Sequence, residues 1–247
     1  MLSQKAKVLQ ALGGRTMLNH VLTTANKISN KISVVVGFDK EGVEEEIKKI
    51  GINANTYLQK EQIGTADAVK TTLKDIDINE KILILYGDVP LIKEETLKKL
   101  CSQEFDLSIL TTNLENPTGY GRVLKDKENN VLRIIEEKDA DQEQKKIKEI
   151  FTGILVTNGN VLKKYIPEIN NNNSAKEFYL TDLIGIANKN GFKINTLSSS
   201  NEESAGANNR FEQEELEKTL RKMKSEDLLR NGATLLDKSR VDVRGEV

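Results

Sequence analysis

KILILYGDVPLI, residues 81–92, changes from buried chain to chemically armed loop within a few positions. Ile82, Leu83, Ile84 and Leu85 form an unbroken apolar run, the pattern of a central strand covered on both faces in a parallel sheet. At its carboxyl end stand Tyr86, Gly87, Asp88 and then Pro90, and open α/β sheets bind ligands just beyond the carboxyl ends of their strands. Gly87 lets a backbone approach a ligand closely, while Asp88 offers hard oxygens suited to Mg²⁺. Taken alone, the same residues also read as a strand ending in an ordinary Gly-Asp turn.

Before this stretch, helical spacing of Met17, Leu18, Val21, Leu22, Ala25 and Ile28 follows a Gly13-Gly14 break. A strand is expected at 32–36 and a helix at 41–50 with Val43, Ile47 and Ile50 inward; its Glu44, Glu45 and Glu46 then form a solvated face. A short strand at 55–58 leads to Gln59, Gly64 and Thr65, with Thr65 placed to cap a helix over 66–73. Beyond the central stretch come a helix over 93–102 and a strand over 107–111, so strands and helices alternate as in a doubly wound sheet. The character then changes. A turn-rich segment, NPTGYGR (116–122), precedes three strands over 123–126, 131–137 and 150–156, suited to a mixed or antiparallel extension. A helix over 178–188, a strand over 193–197 and a charged helix over 211–229 complete the chain.

With 247 residues there is enough chain for one large α/β domain or two small ones. A net charge of −1 invites neither nucleic acid nor an anionic membrane, so any anionic ligand must be held locally. No apolar run reaches the length of a membrane span, and no signal-peptide core is visible, so a cytoplasmic location is expected. One cysteine, Cys101, cannot form an internal disulfide, and His20 on an apolar helix reads as a packing residue.

Singly these motifs are weak, but their order is specific. KVL (7–9), QKEQIGTADAV (59–69), LYGDVPLI (85–92), NPTGYGRV (116–123), IIEEKDA (134–140), EIFTGIL (149–155), EFYLTD (177–182) and GANNR (206–210) follow one another along essentially the whole chain. Together they resemble the uridyltransferase domain of the bacterial bifunctional N-acetylglucosamine-1-phosphate uridyltransferase/glucosamine-1-phosphate acetyltransferase family. The resemblance implies a Rossmann-like, glycosyltransferase-A-like nucleotidyltransferase: a mixed α/β sheet with helices on both faces. It implies a nucleotidyltransferase domain over 1–231, its nucleotide-binding part about 1–112 and its sugar-binding part about 113–231. Residues 232–247 resemble the junction to that family's left-handed β-helix, whose acetyltransferase activity is not carried over and whose presence a homotrimer would require.

The implied reaction joins UTP and N-acetylglucosamine 1-phosphate into UDP-N-acetylglucosamine and pyrophosphate, a step in cell-wall precursor synthesis. Two polyanions must meet in line, so charge neutralisation and positioning matter more than a strong base. By the resemblance, Asp88 and Asn208 hold Mg²⁺, and Lys7 joins Asp88 as the catalytic pair by placing its cation on the phosphates. Gln59, Gly64 and Thr65 read the uracil, with Tyr86 and Gly87 beside the nucleotide, and Gly121, Glu136, Phe151 and Thr181 line the sugar site.

Departures from the family qualify this. Its opening strand and glycine-rich loop, L-A-A-G-x-G-T-R-M, are expected to be lacking here because Met1 matches the last residue of the loop; activity is then conditional on a loop upstream. Phe151 stands where the family has an Asn that hydrogen-bonds the sugar nucleotide, Asp67 replaces a histidine, Ala6 a proline, and Lys238-Ser239 a Pro-Ala. Two alternatives stay open: a related sugar-1-phosphate nucleotidyltransferase of altered specificity, and a non-catalytic form that keeps the fold.

Overall fold

Residues 5–244 are described by a computed structural model. Met1 and residues 245–247, on which the loop and part of the junction expectations fall, lie outside them. Lys7–Leu9 makes a single 3-10 turn, followed by the hairpin of β1 (Ala11–Leu12) and β2 (Arg15–Thr16). The turn between those strands uses Gly13 and Gly14, both at positive φ, as the Gly-Gly break requires. α1 (Met17–Asn26) starts where the Thr16 hydroxyl accepts the Asn19 N–H, and it buries Met17, Leu18, Val21 and Leu22.

β3 (Ile32–Val36), α2 (Lys40–Ile50) and β4 (Ala54–Leu58) form a parallel βαβ unit, with β3 and β4 paired in a two-stranded sheet of their own. α3 (Thr65–Lys70) precedes β5 (Lys81–Ile84), and α4 (Glu94–Cys101) leads to β6 (Leu107–Asn113). The extension follows as β7 (Arg122–Lys125), β8 (Val131–Ile135) and the long β9 (Glu149–Asn158), then α5 (Gly159–Tyr165), α6 (Asp182–Lys189) and β10 (Ile194–Ser198). α7 (Asn201–Ser204) and α8 (Arg210–Arg230) close the chain.

β9 organises the larger sheet, whose order is β10-β6-β9-β7-β8 with β5 also on β9. β6 lies antiparallel along one edge of β9, while β5 and β7 share the other, pairing with its residues 155–158 and with Ile150. Alternate β-residues point to opposite faces. Leu107, Ile109, Phe151 and Leu155 join the core under α5 and α6, and Leu110, Ile154 and Val156 join the one under α4. Helices thus cover both faces, and the extension is antiparallel as its turn-rich sequence implied.

Two expectations change. The run at 81–85 is covered on both faces, with Ile82 and Ile84 against one core and Leu83 and Leu85 against the other, but it does not lie between parallel neighbours. β5 pairs antiparallel with β9, its apolar residues are partly buried, and no described strand pairs with its other edge. β3 has the same open edge. Lys31 pairs with Glu80 where β3 and β5 begin, and beyond their ends Ala6 N–H reaches Asp39 while Lys7 reaches Asp88, so the two strands run the same way.

The helix expected from residue 178 begins only at Asp182. Phe178 N–H donates to the Ile63 carbonyl, the Phe178 carbonyl accepts the Ala66 N–H, both at 2.8 Å, and Leu180 N–H reaches the Thr65 hydroxyl at 2.9 Å. Those cross-chain bonds hold residues 178–180 outside the helix.

Candidate functional site

Three segments far apart in sequence meet where β5 ends. The Lys7 ammonium donates to Asp88 Oδ2 and, at 2.8 Å, to Asn208 Oδ1. Sequence places a lysine, an aspartate and an asparagine on separate loops; backbone contacts explain why they converge. Gly87 admits the 3-10 turn, since a Cβ there would lie 3.0 Å from Val8 Cγ1. Gly206 admits the Asn208 loop, because its Cβ would lie 3.0 Å from the Asp88 carbonyl oxygen. Ala207 is fully buried among Leu12, Met17, Leu91, Leu216 and Leu220 and pins that loop. Asn209 caps α8 by accepting the Phe211 and Glu212 N–H groups, and Glu212 returns to accept the Asn208 N–H at 2.6 Å. Sequence reading passed over that support, although Asn209 and Glu212 have the spacing of a capping box.

Ahead of α3, Gln59 is buried, and its amide nitrogen donates at 3.0 Å to both the Gly64 carbonyl and Asp67 Oδ2. Asp67, noted only as a departure from the family, therefore fixes the Gln59 side chain. Gly64 has φ +134°, and a Cβ would come within 2.3 Å of the Phe178 carbonyl oxygen, so only glycine fits. Thr65 does not cap α3: its hydroxyl serves Leu180 instead. The Tyr86 ring lies on Gly153, where β9 turns through φ +87°. Burial, partly countered by the neighbouring Thr65, pushes the Tyr86 phenol far above its ordinary range and keeps it neutral.

Beside β7, Gly121 leaves no room for a side chain because a Cβ would lie 2.8 Å from Ile134 Cγ2, and the Glu136 carboxylate lies 3.5 Å from the same point. The Thr181 hydroxyl donates to Glu136 Oε1 at 2.8 Å, and burial pushes the Glu136 carboxyl up. Arg122, almost wholly buried, holds the turn by donating to the Tyr120 carbonyl and to Glu137 Oε2. A cavity of about 690 Å³ opens beside Glu136 and Thr181, lined also by Asp139, Tyr179, Asp182 and Asn173. Lys7, Asp88 and Asn208 are not among its walls; their cluster is more open, with Lys7 and Asp88 side chains 33% and 21% exposed. Phe151 lies in the main core and does not line the cavity, while its N–H donates to the Gly121 carbonyl at 2.9 Å.

The donor set at Asp88 suits a hard cation that keeps much of its own water. One carboxylate and one carboxamide, with phosphate oxygens to follow, match Mg²⁺ better than a metal needing an all-protein cage. Among the described residues no group of three or more His, Cys, Asp and Glu gathers as a metal cluster. His20 Nε2 contacts the Leu12 carbonyl at 2.8 Å and is a packing residue, its pKa lowered chiefly by burial. No helix among the described residues is long and apolar enough to cross a membrane.

Residues 4–183 match the cytidylyltransferase family. The whole chain is 41% identical to the bifunctional protein GlmU of Marinomonas sp. (strain MWYL1), of which it covers 55%, so it spans about half the length of that curated relative. In fold it is similar to the inositol-1-phosphate CTP transferase of T. maritima, at TM-score 0.63 and 17% identity over 80% of this chain and 78% of that one. It is also similar to a Bacillus anthracis protein described as a glucose-1-phosphate thymidylyltransferase and solved with sucrose, at TM-score 0.68 and 15% identity over 94% and 89%. The site at the end of β5, the mixed sheet that carries it and the family match over most of the length agree: this chain belongs to the cytidylyltransferase family of nucleotidyltransferases.

Proposed function

We propose that the chain is a Mg²⁺-dependent uridylyltransferase that makes UDP-N-acetylglucosamine and pyrophosphate from UTP and N-acetylglucosamine 1-phosphate. The observation that carries this reading is the convergence of Lys7, Asp88 and Asn208 on one point, on a chain 41% identical to a GlmU protein.

A phosphate oxygen of the sugar phosphate forms a bond to the α-phosphorus of UTP as the bond from that phosphorus to the bridging oxygen breaks, and pyrophosphate departs with the electron pair. Asp88 and Asn208 would hold Mg²⁺, which when bound would supply charge neutralisation on the phosphates. Lys7 adds a compact positive charge to the same region. Gln59, set by Asp67, and the backbone of Gly64 and Thr65 hold the uracil, with Tyr86 and Gly87 beside the nucleotide. Glu136 and Thr181 hold sugar hydroxyls above Gly121. The nucleotide part is then about 1–112 and the sugar part about 113–231.

Phe151 favours a second reading, a different sugar 1-phosphate, because it brings no polar atom to a position where the family has an amide. Pyrophosphate release with UTP and a panel of sugar 1-phosphates separates the two. Under the first reading N-acetylglucosamine 1-phosphate is the preferred acceptor, and Asp88→Ala lowers the rate by about 100-fold or more. Equal rates for wild type and Asp88→Ala overturn both.

A further inference from the structure

Lys7 holds the two oxygens that the proposed function gives to the divalent cation, Asp88 Oδ2 and Asn208 Oδ1. An ammonium has three donors and no acceptor, so its place between those oxygens is that of a counter-ion. Its position is built in. Val8 packs on Gly87, and the Ala6 N–H is tied to Asp39 Oδ2 at 2.9 Å, which sets the root of the lysine beside Asp88. The side chain is unbranched and one-third exposed, so its tip has freedom to swing.

Mg²⁺ binds carboxylate oxygen at about 2.0–2.1 Å, and a second cation within hydrogen-bonding distance of the same oxygens repels it strongly. Lysine and metal therefore compete for Asp88 and Asn208. We infer that Lys7 is the competing cation of the metal site: metal binding displaces its ammonium from both oxygens, and the nucleotide phosphates are where the displaced charge goes. This rests on the proposed metal site. It gives that site a consequence beyond catalysis. Metal alone binds weakly because a cation must be expelled into water, whereas nucleotide offers the ammonium a new anionic partner, so metal and nucleotide bind with positive coupling.

The test is Mn²⁺ binding, read by electron paramagnetic resonance, in wild type, Lys7→Met, Asp88→Ala and the charge control Lys60→Met, each with and without UTP. Without UTP, Lys7→Met is expected to bind Mn²⁺ about tenfold more tightly than wild type, and Lys60→Met to match wild type. UTP should tighten Mn²⁺ binding more in wild type than in Lys7→Met, since only wild type has an ammonium to rehouse. Lys7→Met binding no more tightly than wild type, with Asp88→Ala still abolishing binding, overturns the competition and leaves the metal site standing. Mn²⁺ binding that is unchanged by Asp88→Ala overturns the metal site and the competition together. Crystals of wild type soaked in Mn²⁺ need no variant to fold: an anomalous peak between Asp88 and Asn208 with Lys7 moved away supports the inference, and Lys7 still bonded to both oxygens refutes it.

Discussion

Gly206 has no side chain because the Asp88 carbonyl oxygen leaves no room for one: a Cβ would lie 3.0 Å away. Gly206→Ala is therefore expected to push the Asn208 loop back by a few tenths of an ångström. Nucleotidyl transfer should fall by on the order of tenfold or more, since small misplacements at a reacting centre are costly, while the melting temperature changes little. Comparing kcat with the melting temperature checks this, and a proportional loss of both would refute it. Glu136 makes a different prediction. Burial raises its carboxyl pKa above the ordinary value of about 4.5, so the fold holds that proton where the unfolded chain has released it. Stability from this group is present in acid and is lost as pH rises through the folded pKa. Glu136→Gln should therefore gain stability relative to wild type toward neutral pH and gain none in acid. Melting curves of both proteins across that range decide it, and a constant difference would sink the argument.

Among the elements, the crossing of 63–66 with 178–180 matters most to the site. It brings the turn proposed to hold the uracil against the segment that carries Thr181, through three hydrogen bonds of 2.8, 2.8 and 2.9 Å. Gly64 is its tight point, 2.3 Å from the Phe178 carbonyl oxygen if a Cβ is added. Gly64→Ala should cost on the order of 2 kcal/mol or more, because both φ and space exclude a side chain. A lowered urea midpoint together with a raised KM for UTP would bear this out; an unchanged midpoint would not. This crossing also explains what sequence could and could not say. The periodicity of Leu180, Leu183, Ile184 and Ala187 located α6 but placed its start four residues early, since apolar spacing is blind to a partner segment over a hundred residues away. Thr65 looked like a cap for the same reason: a hydroxyl before a helix is locally a cap, and only the arrival of Leu180 redirects it.

At the scale of the molecule, two sheets share the work. The β3–β4 unit packs with α1 and α2 around Val36, Val43 and Ile47, while the sheet built on β9 has a core on each face. Facing edges of β3 and β5 have no described strand between them; the exposed pair of Lys31 with Glu80 links their starts, and Lys27 after α1 pairs with Glu94 at the start of α4. Exposed ion pairs are worth roughly 0–1 kcal/mol. Amide exchange in β3 and β5 is thus expected to be faster than in β6 and β9, which are paired on both edges. Equal protection in all four strands would show that the two sheets open as one unit.

What residues alone determined is local: the alternation of strands and helices, the antiparallel extension after the turn-rich segment, and the chemistry available at Lys7, Asp88, Gln59, Glu136 and Asn208. These follow from side-chain spacing and type, which short-range geometry reads directly. Tertiary structure decided which edges of β5 are paired, that Asp67 sets Gln59, that Phe151 belongs to the core, and that one ammonium sits on both Asp88 and Asn208. Each of those depends on segments brought together by burial and backbone hydrogen bonding across long loops, and no local pattern encodes which distant group arrives.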